Sequence, residues 1–259
     1  MARYQRWRDA LRPKFLRCSG LDAKSVMPES TVPRARLAPS LEYHEEELRI
    51  ALCPSDPRHH LPSIPPNCRT LLDIGCGMGQ TPIALKLSTE IEAYGIDLDF
   101  AALKEGTHRV SANITLLKAK GELLPFRPSS FDFVMSRVAM PYMYLNDVLD
   151  EASRVLKQDG TIWISLHRFT LHRVANQIRR SFGRRDWRGV IFCLYVLCNT
   201  ILFHLVGVQV SFRGRCTETF QTKGGIRRAF RRAGLDCEEI LLEIDRFFIV
   251  KGRKRHSQV

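Results

Sequence analysis

The segment Leu71-Leu72-Asp73-Ile74-Gly75-Cys76-Gly77-Met78-Gly79 constrains the fold more than any other part of this chain. A short apolar strand, Thr70–Ile74, runs directly into glycines at alternating positions. Glycine there lets the backbone turn sharply and lets a ligand approach main-chain atoms without meeting a Cβ. A second apolar strand, Ile91–Ile96, ends in Asp97. A carboxylate at that point is placed to accept both hydroxyls of a ribose, so the pair of features points to a nucleoside-containing cofactor.

The rest of the region alternates in the same way. Gln80–Leu87 reads as helix, with Pro82 in its first turn where a missing N–H costs little. Phe100–Glu105 reads as helix, Ile114–Leu117 and Phe131–Met135 as strands, Val148–Leu156 as helix and Thr161–Leu166 as strand. Strands alternating with helices predict a Rossmann-like α/β fold, a mostly parallel seven-stranded sheet with helices on both faces. Gly224–Ala233 reads as a basic helix stopped by Gly234, and Leu235–Leu242 with Phe247–Lys251 as a closing pair of strands.

Charge separates the cofactor classes. A dinucleotide loop has the pattern GxGxxG and faces a pyrophosphate. Here the pattern is GxGxG, position 80 is Gln80, and Asp73 precedes the loop. A carboxylate repels a pyrophosphate but suits an ammonium. S-adenosylmethionine carries an ammonium and a sulfonium and no phosphate, so the charges favour it.

Residues 70–167 resemble class I S-adenosylmethionine-dependent methyltransferases, particularly the group that includes quinone and small-molecule methyltransferases. The matches are LLDIGCGMG (71–79), YGIDLD (94–99), LLPF (123–126), SFDFVMS (130–136) and DEASRVLKQDGTIWIS (150–165), in the family's order and spacing. The resemblance implies that Asp73, Gly75 and Gly77 line the methionine end of the cofactor and that Gly79 also belongs to the cofactor-binding loop. It implies that Asp97 holds the ribose, that Leu98 packs beside adenine, that Glu122 lies at the adenine edge, and that Ser136 and Arg137 border the methyl group. The chain departs from the family at Lys120, which stands where an Asp usually receives the adenine amino group. A lysine cannot accept that hydrogen bond.

Methyl transfer from a sulfonium needs a base only where the acceptor must lose a proton. His167 and Tyr142 are the leading candidates, with Tyr144 and His172 behind them. His167 follows the fifth strand, at the carboxyl edge where open α/β sheets bind ligands. Met140-Pro141-Tyr142 is not the Asn-Pro-Pro-Tyr motif of amino-methylating relatives, which favours an oxygen or carbon acceptor.

Composition bears on where such a chain works. The 259 residues hold 40 Lys plus Arg against 27 Asp plus Glu, a net charge of +13. That balance calls for an anionic partner, nucleic acid or an acidic membrane. Residues 1–17 read as a basic amphipathic helix, with Tyr4, Trp7, Leu11 and Phe15 along one side. It forms a docked helix, a membrane-surface anchor or an organelle transit peptide. A proline-punctuated lead-in follows to residue 66, containing an acidic helix, Leu41–Leu52. The methyltransferase domain is expected over 67–259, interrupted by an insertion at about 169–215.

That insertion contains Val190–Val210, 21 residues without a formal charge, flanked by Arg184, Arg185 and Arg188 on one side and Arg213 and Arg215 on the other. It reads as a buried cap, a one-sided membrane contact or a transmembrane span. An apolar cap beside arginines suits a hydrophobic or lipid-like acceptor at a membrane surface, with RNA or a protein as alternative acceptors. A non-catalytic relative of the fold is a third alternative. The eight cysteines include no CxxC pair. No zinc site is expected, and reduced thiols fit an intracellular, cytoplasmic protein, with membrane association a further expectation.

Overall fold

The computed structural model describes residues 39–167, 171–212, 217–244 and 247–255. The expected basic helix at 1–17 lies outside the described residues.

The elements follow the sequence closely. Helix α1 covers Pro39–Leu52, and strand β1 (Thr70–Ile74) leads through the glycine loop into α2 (Gln80–Leu85). Strand β2 (Glu92–Asp97), α3 (Phe100–Thr107), β3 (Ile114–Lys118) and β4 (Phe131–Arg137) come next. A 3-10 turn at Met140–Tyr142 precedes α4 (Leu145–Val155) and β5 (Leu156–His167). The insertion folds as two helices, α5 (Leu171–Gly183) and α6 (Trp187–Val206). Helix α7 (Lys223–Arg232), β6 (Leu235–Ile244) and β7 (Phe247–Lys254) complete the described chain.

The seven strands form one sheet in the order β3-β2-β1-β4-β5-β7-β6. The first five are mutually parallel, while β7 runs antiparallel to both neighbours. The closing strands thus pair as expected, but the later one inserts between β5 and its own predecessor. The order reverses direction at β1, so the carboxyl ends of β1, β2 and β4 open onto a shared crevice, where α/β sheets of this type bind ligands.

Both faces of the sheet are buried, as a parallel sheet requires. Leu72, Ile74, Val134 and Ile162 meet Val148, Leu149 and Ala152 of α4, Ile226 and Phe230 of α7, and Phe203 of α6. Leu71, Ala93, Phe133, Met135 and Trp163 fill the opposite face. Helix α1 packs Leu48 on Met78 and Ala102, over the glycine loop and α3. Local caps set the element ends. The Asp99 side chain accepts from Ala101 N and Ala102 N at the start of α3, and Gly207, at φ 74°, stops α6.

Candidate cofactor site

The glycine loop is confined from above. Gly75 has φ +77°, and a Cβ there would stand 2.1 Å from the Cβ of Ala139, just past β4. Gly77 has φ +57°, and a Cβ there would reach within 2.4 Å of His44 Nδ1 on α1. The loop can hold this left-handed path under two neighbouring segments only because it lacks side chains at these points.

Asp97 ties the loop to the next turn. Its Oδ2 accepts from Gly77 N at 2.8 Å and its Oδ1 accepts from Asp99 N at 2.9 Å. Beside it, Leu98 and Phe100 are 54% and 63% exposed. Lys118 Nζ lies 5.8 Å from the centre of the Phe100 ring. Exposed apolar side chains next to a carboxylate offer a surface for a flat base adjoining a ribose.

Asp73 is the most revealing group. It is 1% exposed, and neither carboxylate oxygen has a hydrogen-bond partner among the described residues. Burial pushes its carboxyl up to about 7, with Arg137 nearby pulling the other way and Asp97 adding to the rise. A buried, unsatisfied carboxylate is costly unless something cationic meets it. The ammonium of S-adenosylmethionine supplies that charge, so these residues fit the cofactor.

A pH dependence follows. Asp73 binds a cation well only when ionised, so affinity for S-adenosylmethionine should fall about tenfold from pH 8 to pH 6, as expected for one group titrating near 7. Isothermal titration across that range checks it, and a flat profile would remove Asp73 from the site. Without cofactor the sign reverses. The folded value is raised above the unfolded one, so this carboxyl's contribution to stability is present below about pH 4 and lost as pH rises through about 7.

Helix α1 roofs this crevice with charge. Glu47 Oε2 pairs with Arg137 Nη1 at 3.2 Å, and Glu45 pairs with Arg109 at 2.7 Å. Arg137, whose side chain is 6% exposed, also donates to Thr81 Oγ1 and the Glu47 carbonyl. His44 bridges Gln80 Nε2 at 2.8 Å and Asp99 Oδ2 at 3.6 Å. Burial and Arg137 hold the imidazole of His60 down at about 4, and its Nε2 lies 2.7 Å from Ser165 Oγ on β5. Sequence reasoning named neither His44 nor His60. The acidic run in α1 was visible, but Arg109 and Arg137, the partners of Glu45 and Glu47, lie on other parts of the chain.

The remaining expected site residues are scattered in role. Gly79, at φ +82°, ends the loop at the start of α2. Ser136 is fully buried, and its hydroxyl donates to the Ile74 carbonyl at 2.8 Å, a bond that joins β4 to β1. Glu122 accepts from Tyr144 N at 3.0 Å, and Lys120 is exposed. Tyr142 closes the 3-10 turn, and its carbonyl accepts from Thr217 Oγ1. His167 ends β5 opposite Phe247. His172 falls in the first turn of α5.

The insertion is fastened to this mouth. Gln209 Nε2 donates to the Met143 and Thr217 carbonyls, and its Oε1 accepts from Leu145 N at 2.6 Å. Thr219 N donates to the Pro141 carbonyl.

Sheet order, glycine loop and the two carboxylates together define a nucleoside-binding α/β crevice of the Rossmann-like kind. Comparison with known proteins makes it specific. Residues 72–164 match the family described as "Methyltransferase domain". A Saccharomyces cerevisiae protein that bears the name "Probable S-adenosylmethionine-dependent methyltransferase CRG1" is 32% identical over 99 residues, covering 36% of this chain and 34% of that protein. The human mitochondrial protein named arginine-hydroxylase NDUFAF5 is 32% identical over 100 residues, covering 38% of this chain and 28% of its own. The chain thus matches about a third of the length of these curated relatives. A chain from the Haloferax volcanii complex of the Trm112 methyltransferase activator with a methyltransferase superposes with a TM-score of 0.57 at 18% identity, covering 85% of this chain and 96% of that one. Residues 72–164 are therefore a class I S-adenosylmethionine-dependent methyltransferase domain, in the Rossmann-like methyltransferase fold, and S-adenosylmethionine is its cofactor.

Proposed function

We propose that the protein transfers a methyl group from S-adenosylmethionine to a hydrophobic small-molecule or lipid-like acceptor, at oxygen or carbon. The observation that carries this reading is the apolar lining of the crevice mouth. Ala139 and Met143 stand over Gly75, and Met143 Sδ would lie 2.7 Å from a Cβ at Gly121. Val138, which opens this segment, is held at φ +62°, a strained setting for a β-branched residue and one that tends to mark functional loops.

The cofactor brings a methyl group on an already activated sulfonium, so positioning dominates the protein's contribution. Asp73 neutralises the ammonium, and Asp97 with Leu98 orients the nucleoside. Ala139 and Met143 exclude water from the space beside Gly75, and Gln209 fixes their segment through the Met143 carbonyl. His167 and Tyr142 are the proposed bases for an acceptor that must lose a proton.

The test uses S-adenosylmethionine tritiated in its methyl group, offered with total lipid extract, RNA and a protein extract in separate reactions. Label in the organic phase supports the reading. Label confined to RNA or to acid-precipitable protein overturns it. A protein acceptor is the second reading, favoured by the human relative that is named for hydroxylating arginine.

A further inference from the structure

Helix α6 presents its more apolar side to the outside. Gly189, Cys193, Val196, Asn199, Thr200 and Phe203 face the domain. That buried side is tied down by polar contacts. Asn199 Nδ2 donates to the Glu218 carbonyl at 3.1 Å, and Thr200 Oγ1 accepts from Phe220 N at 3.0 Å. The outward side carries Trp187, Ile191, Leu194, Cys198, Ile201 and Leu205, stepped four and three residues apart, the repeat of one helical face. Ile191, Ile201 and Leu205 are 56%, 50% and 74% exposed. The stripe continues past Gly207 into the exposed Val208 and Val210. A monomer in water has no physical reason to keep such a stripe uncovered.

Charge frames the stripe at both ends. Exposed Arg179, Arg180, Arg184, Arg185 and Arg188 surround its start, against the single Asp186, which caps α6 by accepting from Gly189 N. Phe182 packs edge-to-face on Trp187 there, with ring centres 5.3 Å apart. At the far end a groove of about 480 Å³ runs between Leu205 and Val206 on one wall and Arg228 and Arg232 on the other. Arg231 and Lys223 stand exposed on the same helix, against Asp147 and the Arg232-paired Asp150.

We infer that this face of the protein docks on an anionic lipid bilayer, with α6 lying in the plane of the interface. The apolar stripe enters the acyl boundary while the arginines at its ends engage lipid phosphates. Its length and composition match a membrane-crossing helix. A crossing would, however, strip Asn199 and Thr200 from their partners in the domain and place them in hydrocarbon. A second copy of the chain fits less well than lipid. Turned either way along α6, it would bring arginine-rich ends against arginine-rich ends, whereas anionic headgroups complement both. The inference stands whichever acceptor is methylated.

Vesicle co-sedimentation of the full chain tests it. Vesicles of phosphatidylcholine with 30% phosphatidylglycerol (a composition on the order of anionic membranes) are compared with phosphatidylcholine alone. The expected result is at least about tenfold stronger binding to the anionic vesicles, weakened by salt. The double variant Leu194→Glu, Ile201→Glu should lose this binding. It changes only outward-facing residues, so its affinity for S-adenosylmethionine should match that of the unmodified chain, which also verifies folding. Failure of the unmodified chain to bind, or equal binding by the variant, would overturn the inference. So would a dimer in solution that the variant converts to a monomer, which would assign the stripe to a second copy.

Discussion

Replacing Asp97 with alanine is expected to weaken S-adenosylmethionine binding by at least about a hundredfold. A hydrogen bond to a charged group contributes roughly 1.5–3 kcal/mol, and a ribose offers two hydroxyls to this carboxylate. The substitution also removes the acceptor for Gly77 N and Asp99 N, which ties the glycine loop to the β2–α3 turn. The unliganded protein should therefore lose about 1–3 kcal/mol as well. Isothermal titration measures the first effect and chemical denaturation the second. Asp97→Asn keeps one acceptor oxygen and should fall between the two. Unchanged affinity in Asp97→Ala would displace the ribose from this turn.

Gly75→Ala is expected to be the most damaging single methyl that can be added near the crevice. The new Cβ would stand 2.1 Å from Ala139 Cβ, and Ala139 has no flexible side chain to swing aside. The left-handed φ of +77° adds its own penalty. Overpacking and backbone strain together come to about 2–5 kcal/mol. Relief requires moving the segment from Val138 to Met143, so cofactor affinity should fall along with the melting temperature. Gly224→Ala in the first turn of α7 is the control. Nothing lies within 4 Å of a Cβ there, so the melting temperature should hold or rise. Equal behaviour of the two variants would contradict the confined path of the loop.

Much of the fold was legible because its signals are local. Strands β1, β2 and β4 are short apolar runs bounded by polar turns, and each appears within two residues of its expected place at both ends. The glycine loop announces itself because glycine adopts those left-handed backbone angles without the penalty that a Cβ brings. The insertion of β7 between β5 and β6 was not legible. Pairing between closing strands is evident from composition, but their position in a sheet depends on contacts far apart in sequence. Within the site, the hydrogen bond from the Ser136 hydroxyl to the Ile74 carbonyl was likewise not legible, because its acceptor lies 62 positions away in the chain.

By itself, the sequence determined the sheet-and-helix alternation, the glycine loop after the first strand, and the preference for a cationic cofactor over a pyrophosphate. Those follow from backbone sterics and the sign of Asp73, both of which act over a few residues. Tertiary structure alone decided that the glutamates of α1 would clamp Arg109 and Arg137 over the crevice, and that His60 would stand neutral beside Ser165. It also decided which side of α6 faces out. A helix apolar on every side carries no polar stripe to orient it. The hydrogen bonds of Asn199 and Thr200 to the domain, with the burial of Val196 and Phe203, set its rotation, leaving the richer apolar face, and the arginines around it, on the surface.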